Sequence, residues 1–111
     1  MLTRDDVRRI ALSQPQAVEA DHFGMPSFRV ARKIFCTLHA PEHRRCMLKL
    51  DPEDQHNLVD GQAIVPVPGY WGQKGSTFVH FEQVDEDLLA RLMRLAWAGV
   101  APKKLLGQGG S

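Results

Sequence analysis

Between Ser27 and Leu50 the apolar residues recur at every second position in three separate runs. Phe28 and Val30 form the first, Ile34, Cys36 and Leu38 the second, and Cys46, Leu48 and Leu50 the third. A period of two belongs to β-strands, whose successive side chains point to opposite faces. Three short runs joined by tight connections predict antiparallel strands with one apolar face. The same alternation predicts that Phe35, Met47 and, from a later run, Phe78 share the opposite face with Arg29, Lys49 and His80. Apolar groups on that second face imply either cover by a loop or a surface that stacks on a ligand. The stretch Val18 to His22 adds a short strand, closed by Phe23-Gly24-Met25-Pro26, and Ser76 to Phe81 alternates again.

A sheet with one apolar face needs helices to cover it, and the chain supplies them at both ends. Thr3 followed by Asp6 has the spacing of a capping box, and Val7, Ile10 and Ala11 continue at helical spacing up to Pro15. Asp51-Pro52-Glu53-Asp54 is a strong helix start, ended by Asp60-Gly61. Asp85 caps a last helix whose stripe is Leu88, Leu89, Leu92, Leu95 and Ala96, with Gly99 and Pro102 as its stop. Ile64 and Val65 lead into an irregular loop, Pro66 to Lys74. The expected fold is therefore α+β, a two-layer α/β sandwich with the N- and C-terminal helices on one face of an antiparallel sheet. One domain is expected over residues 1–106, followed by a loose tail over 107–111.

Composition narrows the class of function. The 111 residues carry a net charge of +1, with 43% hydrophobic and 24% charged side chains, as in a soluble globular domain. That small sum hides a segment from Ser27 to Leu50 with net charge +5 and a remainder with −4. The basic segment reads either as a phosphate-binding surface or as a solvated sheet face whose charges discourage edge pairing. Two cysteines make no secreted disulfide framework, Met1 to Asp6 is charged where a signal peptide is apolar, and no apolar run is long enough for a membrane span. A cytoplasmic location follows as the expectation, with no membrane partner and with a monomer as the favoured state.

The chemistry-bearing motifs mostly fail on geometry. Cys36, His39, His43 and Cys46 have the composition of a zinc set. However, Cys36 and His39 are an odd number of residues apart on one strand and point to opposite faces. No metal or other cofactor is expected. Gly69 to Thr77 holds glycines and Lys74 but not the order of a Walker loop, which needs Lys after the glycine and a helix next. What remains is a loop carrying Trp71 and Lys74, with Trp71 either a lid over the sheet or a stacking group. Ser13, Ser27 and Ser76 lack a nucleophile elbow, and the clustered acids are explained by helix capping, so no enzyme signature survives.

The residues as a set resemble a known family. His22-Phe23-Gly24-Met25-Pro26-Ser27-Phe28-Arg29-Val30, Lys33-Ile34-Phe35-Cys36-Thr37-Leu38 and Leu48-Lys49-Leu50-Asp51-Pro52 resemble the MmcQ/YjbR-like family. So do Pro66-Val67-Pro68 before Trp71-Gly72, and the Asp85 helix running to Ala101-Pro102-Lys103. The resemblance implies a compact sandwich similar to frataxin-like folds, with two protruding loops described as a double wing, and a DNA-binding label that rests on fold analogy. The wings would be His39 to Arg45 and Pro66 to Gly75. A frataxin-like iron surface does not fit, because Arg4, Arg8 and Arg9 interrupt the acids of the first helix.

Two functions are expected from this reading. The first is a non-enzymatic DNA-binding module in which Arg29, Lys33, Arg44, Arg45, Lys49 and Lys74 contact phosphates and Trp71 wedges or stacks. The second is a small-ligand or protein-interaction domain with a pocket between the Trp71 loop and the sheet face bearing Phe35, Met47, Phe78 and His80.

Overall fold

Helix α1, Arg4–Leu12, opens on the expected capping box: Thr3 Oγ1 accepts from Asp6 N at 3.2 Å, and Asp6 Oδ2 accepts from Thr3 N at 2.8 Å. The structure, a computed structural model, describes residues 1–109 and the side chains of 1–106. Strands β1 (Val18–His22), β2 (Met25–Val30), β3 (Lys33–Leu38) and β4 (Cys46–Lys49) follow, with a 3-10 turn at Pro41–His43 between the last two. Helix α2 (Pro52–Leu58), β5 (Ile64–Pro66), a one-turn helix α3 (Tyr70–Gln73) and β6 (Ser76–Val79) come next. A 3-10 turn at Phe81–Gln83, α4 (Glu86–Val100) and α5 (Lys103–Gly109) complete the order. Helix α5 takes up the start of the segment read as a tail, and residues 110–111 lie outside the described residues.

The six strands form one antiparallel sheet in the order β1-β2-β3-β4-β6-β5. Helix α4 lies over β3 and β4, and α1 packs beside it and against β3. The result is the two-layer α+β sandwich expected, with terminal helices on one sheet face. Val7, Ile10, Phe28, Leu38, Leu48, Val79, Leu89 and Leu92 interlock between the layers. Burying such side chains contributes about 1.5–3 kcal/mol each, which makes this layer the main source of stability.

Three local features depart from the pattern in the sequence. The pairing of β2 with β3 runs Phe28↔Cys36 and then Arg29↔Ile34, so Phe35 is an extra residue in a β-bulge. The bulge turns Phe35 into the core, fully buried, and puts Ile34 on the open face instead. Phe35 is thus not part of the second face, as strict alternation had it. Helix α4 passes through Gly99 and ends at Val100, because a helical glycine costs only about 1 kcal/mol. The stop comes from Pro102, which holds Ala101 extended at φ −69°, ψ 145°. The buried stripe of α4 also includes Met93 and Trp97, and Trp97 Nε1 donates to Pro15 O at 2.9 Å across to the α1 exit.

Candidate functional site

The face of the sheet opposite α1 and the body of α4 carries a groove of about 910 Å³, which Val100 at the very end of α4 also lines. Its floor is apolar, made by Ile34, Met47 and Phe78 with Thr37 between them, and Val67 and Trp71 stand along one side. Four permanent cations line it: Arg29, Arg32, Lys33 and Lys49. Among the described lining residues there is no carboxylate. Such a concave surface, basic at its edges and flat at its base, favours an anion that also presents an apolar plane.

Each cation is placed by a different local device. Arg29 lies flat along β1 and β2, with Nε donating to Ser27 Oγ at 3.0 Å and Nη2 to Asp21 O at 3.2 Å. Ser27 Oγ in turn donates to Ala20 O at 2.8 Å, so the support beneath the guanidinium is itself fixed. Arg32 sits in the two-residue turn between β2 and β3, where Ala31 (φ 50°) and Arg32 (φ 71°) are both left-handed. That turn twists with the strands, and it stores strain because neither residue is glycine. Lys33 begins β3 directly after it, and Lys49 faces Ser76 across β4 and β6.

The Trp71 wall depends on two close backbone approaches. A Cβ on Gly72 would come within 1.7 Å of Val67 O, and one on Gly75 (φ +110°) within 1.8 Å of Leu50 O. Only glycine allows α3 to press against the β5 exit while its end lies over Leu50. From the other layer, Gln55 Nε2 donates to Ser76 O at 3.1 Å and to Thr77 Oγ1 at 3.0 Å, tying α2 to β6. Trp71 itself is 61% exposed and stands edge-on to Tyr70 at 5.3 Å. It therefore forms a wall of the groove and does not lie as a closed lid.

At the β4 end, Arg45, His39 and Phe78 form one cluster. The Arg45 guanidinium lies 3.9 Å from the Phe78 ring centroid, and its Nε donates to His39 Nδ1 at 2.9 Å. His39 Nδ1 is then an acceptor, so the ring proton of neutral His39 is on Nε2. Partial burial, then the charges of Arg45 and His43, push the His39 pKa below its usual value. His39 is held as a neutral donor against the Phe78 edge, at 5.4 Å between ring centroids. Arg4 of α1 donates to His39 O, anchoring this end of β3 to the helical layer.

Of the residues the sequence singled out, the structure brings Arg29, Lys33, Lys49 and Trp71 together around the groove. Arg45 stands at its end, stacked on Phe78. Arg44 turns to Glu82 at 3.6 Å, and the Lys74 ammonium sits 5.4 Å from the Tyr70 ring centroid. Met47 and Phe78 lie on the groove floor, whereas Phe35 is in the core and His80 lies outside the described lining. Arg32, His22, His39 and Ile34 belong to the groove without having been assigned to it. The charge run pointed to Arg32, but only its place in a tight turn aims it at the sheet face. Cys36 and Cys46 are buried on the opposite, core side, where burial and their mutual hydrogen bond push the Cys36 thiol pKa well up. They are separated from His39 by the sheet itself.

Residues 12–98 match the YjbR family. The chain belongs to that family. The match covers the whole sheet and most of α4, in agreement with the resemblance carried by the strand motifs. No curated protein matches this YjbR chain. Among solved structures, it is similar to the crystal structure of Deinococcus radiodurans protein DR2400, which carries a DUF419 domain. The two share 23% identity with a TM-score of 0.73, over 99% of this chain and 89% of that one. At that identity the likeness establishes the fold alone. Among the described residues, no helix is long and apolar enough to cross a membrane.

Proposed function

We propose that this protein is a non-enzymatic DNA-binding module that takes a single strand across the open sheet face. The observation that carries this reading is the groove itself, with Arg29, Arg32, Lys33 and Lys49 around a floor of Ile34, Met47 and Phe78 and no acid in the described lining. Phosphates would pair with the four cations, while bases rest on the apolar floor beside the Arg45-stacked Phe78 and against Trp71. A duplex is disfavoured, because a recessed sheet face cannot enter a DNA groove as a helix or a protruding ribbon does. Of the segments expected as wings, His39 to Arg45 contributes His39 to the groove lining, and Pro66 to Gly75 contributes Val67 and Trp71. Contacts of this kind are mostly to the backbone, so sequence discrimination is small.

The test is fluorescence anisotropy of labelled single- and double-stranded DNA across a salt series. Four phosphate contacts to a single strand give a slope of log affinity against log salt of about −3. Single-stranded binding with that slope, tighter than duplex binding, supports the proposal, and no binding at low salt overturns it. The groove volume of about 910 Å³ also favours a second reading, a small planar anion held between Trp71 and the sheet. That reading predicts a shallow salt slope and a larger loss from truncating Trp71 or Met47 than from neutralising Lys33.

A further inference from the structure

The connection between β1 and β2 is a two-residue turn, since His22 pairs with Met25 and only Phe23 and Gly24 lie between. Both turn residues are left-handed, Phe23 at φ 53° and Gly24 at φ 84°. Hairpin turns of this form favour Asn or Asp before the glycine, and a bulky side chain there is strained. Phe23 is also 91% exposed, so its ring gains almost nothing from packing within the fold. The turn is braced, with Gly24 N donating to Asp21 Oδ2 at 3.3 Å. The ring is held edge-to-face against His22 at 4.8 Å, and His22 lines the groove.

Directly beneath this tip, Arg29 Nη2 donates to Asp21 O, which brings the guanidinium to the same end of the hairpin. An exposed ring therefore stands one residue beyond the groove, at the hairpin end where Asp21 O fixes the Arg29 guanidinium and the Asp21 carboxylate braces the turn. We infer that Phe23 is a base-stacking wedge that caps the Arg29 end of the groove and inserts beside a nucleotide whose phosphate Arg29 holds. The inference rests on the single-strand reading above. Along the chain the ring is flanked by Asp21, His22 and Gly24, a polar setting unlike the aromatic and apolar cluster of a protein hot spot. A flat nucleobase next to an anionic phosphate matches that combination of a lone ring and a cation.

The test compares wild type with Phe23→Asn by thermal denaturation and by anisotropy on a labelled thymidine oligonucleotide and an abasic strand of equal length. Asn relieves the turn strain, so Tm rises by about 4 °C. Affinity for the thymidine strand falls about fivefold or more, as loss of one stacked base requires, with the salt slope unchanged. Both proteins bind the abasic strand equally, and Phe23→Tyr restores thymidine binding. Equal binding of the thymidine strand by wild type and Phe23→Asn overturns the wedge and leaves the groove reading standing. An equal loss on both strands also overturns it, because the ring would then act through the fold. Failure of wild type to bind either strand removes the groove reading, and the wedge with it.

Discussion

Truncation of Phe35 tests the bulge that decides which side chains face the groove. Phe35 is fully enclosed in the core, between the sheet and the helical layer. Phe→Ala at such a site costs about 3–5 kcal/mol, from lost transfer energy plus the cavity left behind. For 111 residues the unfolding entropy is about 0.23 kcal/mol/K, so the expected fall in Tm is about 13–22 °C. Ile34, one residue earlier, is partly exposed on the groove floor, and Ile34→Ala is expected to cost about 1 kcal/mol, or about 4 °C. Circular dichroism melts and urea titrations of the two variants measure this contrast directly. Phe35→Leu provides a milder substitution if Phe35→Ala does not fold. Comparable losses at the two positions, or a larger loss at Ile34, would refute the bulge and return Phe35 to the open face.

Three further outcomes are expected. Lys49→Ala lowers the single-strand salt slope by about 0.7, whereas Arg44→Ala, which removes a partner of Glu82 outside the groove, leaves it unchanged in the same anisotropy titration. Gly72→Ala forces α3 away from Val67 O, costs about 1–3 kcal/mol in urea denaturation and weakens single-strand binding by displacing Trp71. His39 has a pKa lowered in the fold by burial and by Arg45 and His43, so the unfolded chain takes up its proton first as pH falls. Its stabilising contribution is full above the unfolded value of about 6.5 and is lost as pH drops through the folded value. The urea midpoint should therefore fall between pH 7 and pH 5, and His39→Gln should flatten that dependence.

The sheet was legible because its core face is written at period two in Phe28, Val30, Cys36, Leu38, Cys46 and Leu48, and a one-residue slip would expose them all. The helix starts were legible because Thr3, Asp51 and Asp85 cap them with side-chain oxygens. The Phe35 bulge was not, since an extra residue in one strand is set by its pairing with β2 and leaves no local mark. Helix α3 was hidden in a loop rich in Pro and Gly, because its four residues depend on the approach of Gly72 to Val67. For the site, alternation placed Arg29, Met47 and Lys49 correctly on the open face. It could not tell that Arg44 would turn away to Glu82 while Arg32, its equal in the charge run, would turn in. Turn geometry decides that, and it is encoded in φ angles that Ala31, Arg32 and Arg44 adopt against their own preference.

The location of the binding surface is tested most directly by amide chemical shifts of the 15N-labelled protein titrated with a single-stranded thymidine oligonucleotide. The account predicts shifts concentrated at Arg29, Arg32, Lys33, Ile34, Lys49 and Phe78 on the open face, with α1 and the buried stripe of α4 from Leu89 to Trp97 unmoved. Shifts confined to the helical layer, or none at low salt, would contradict it.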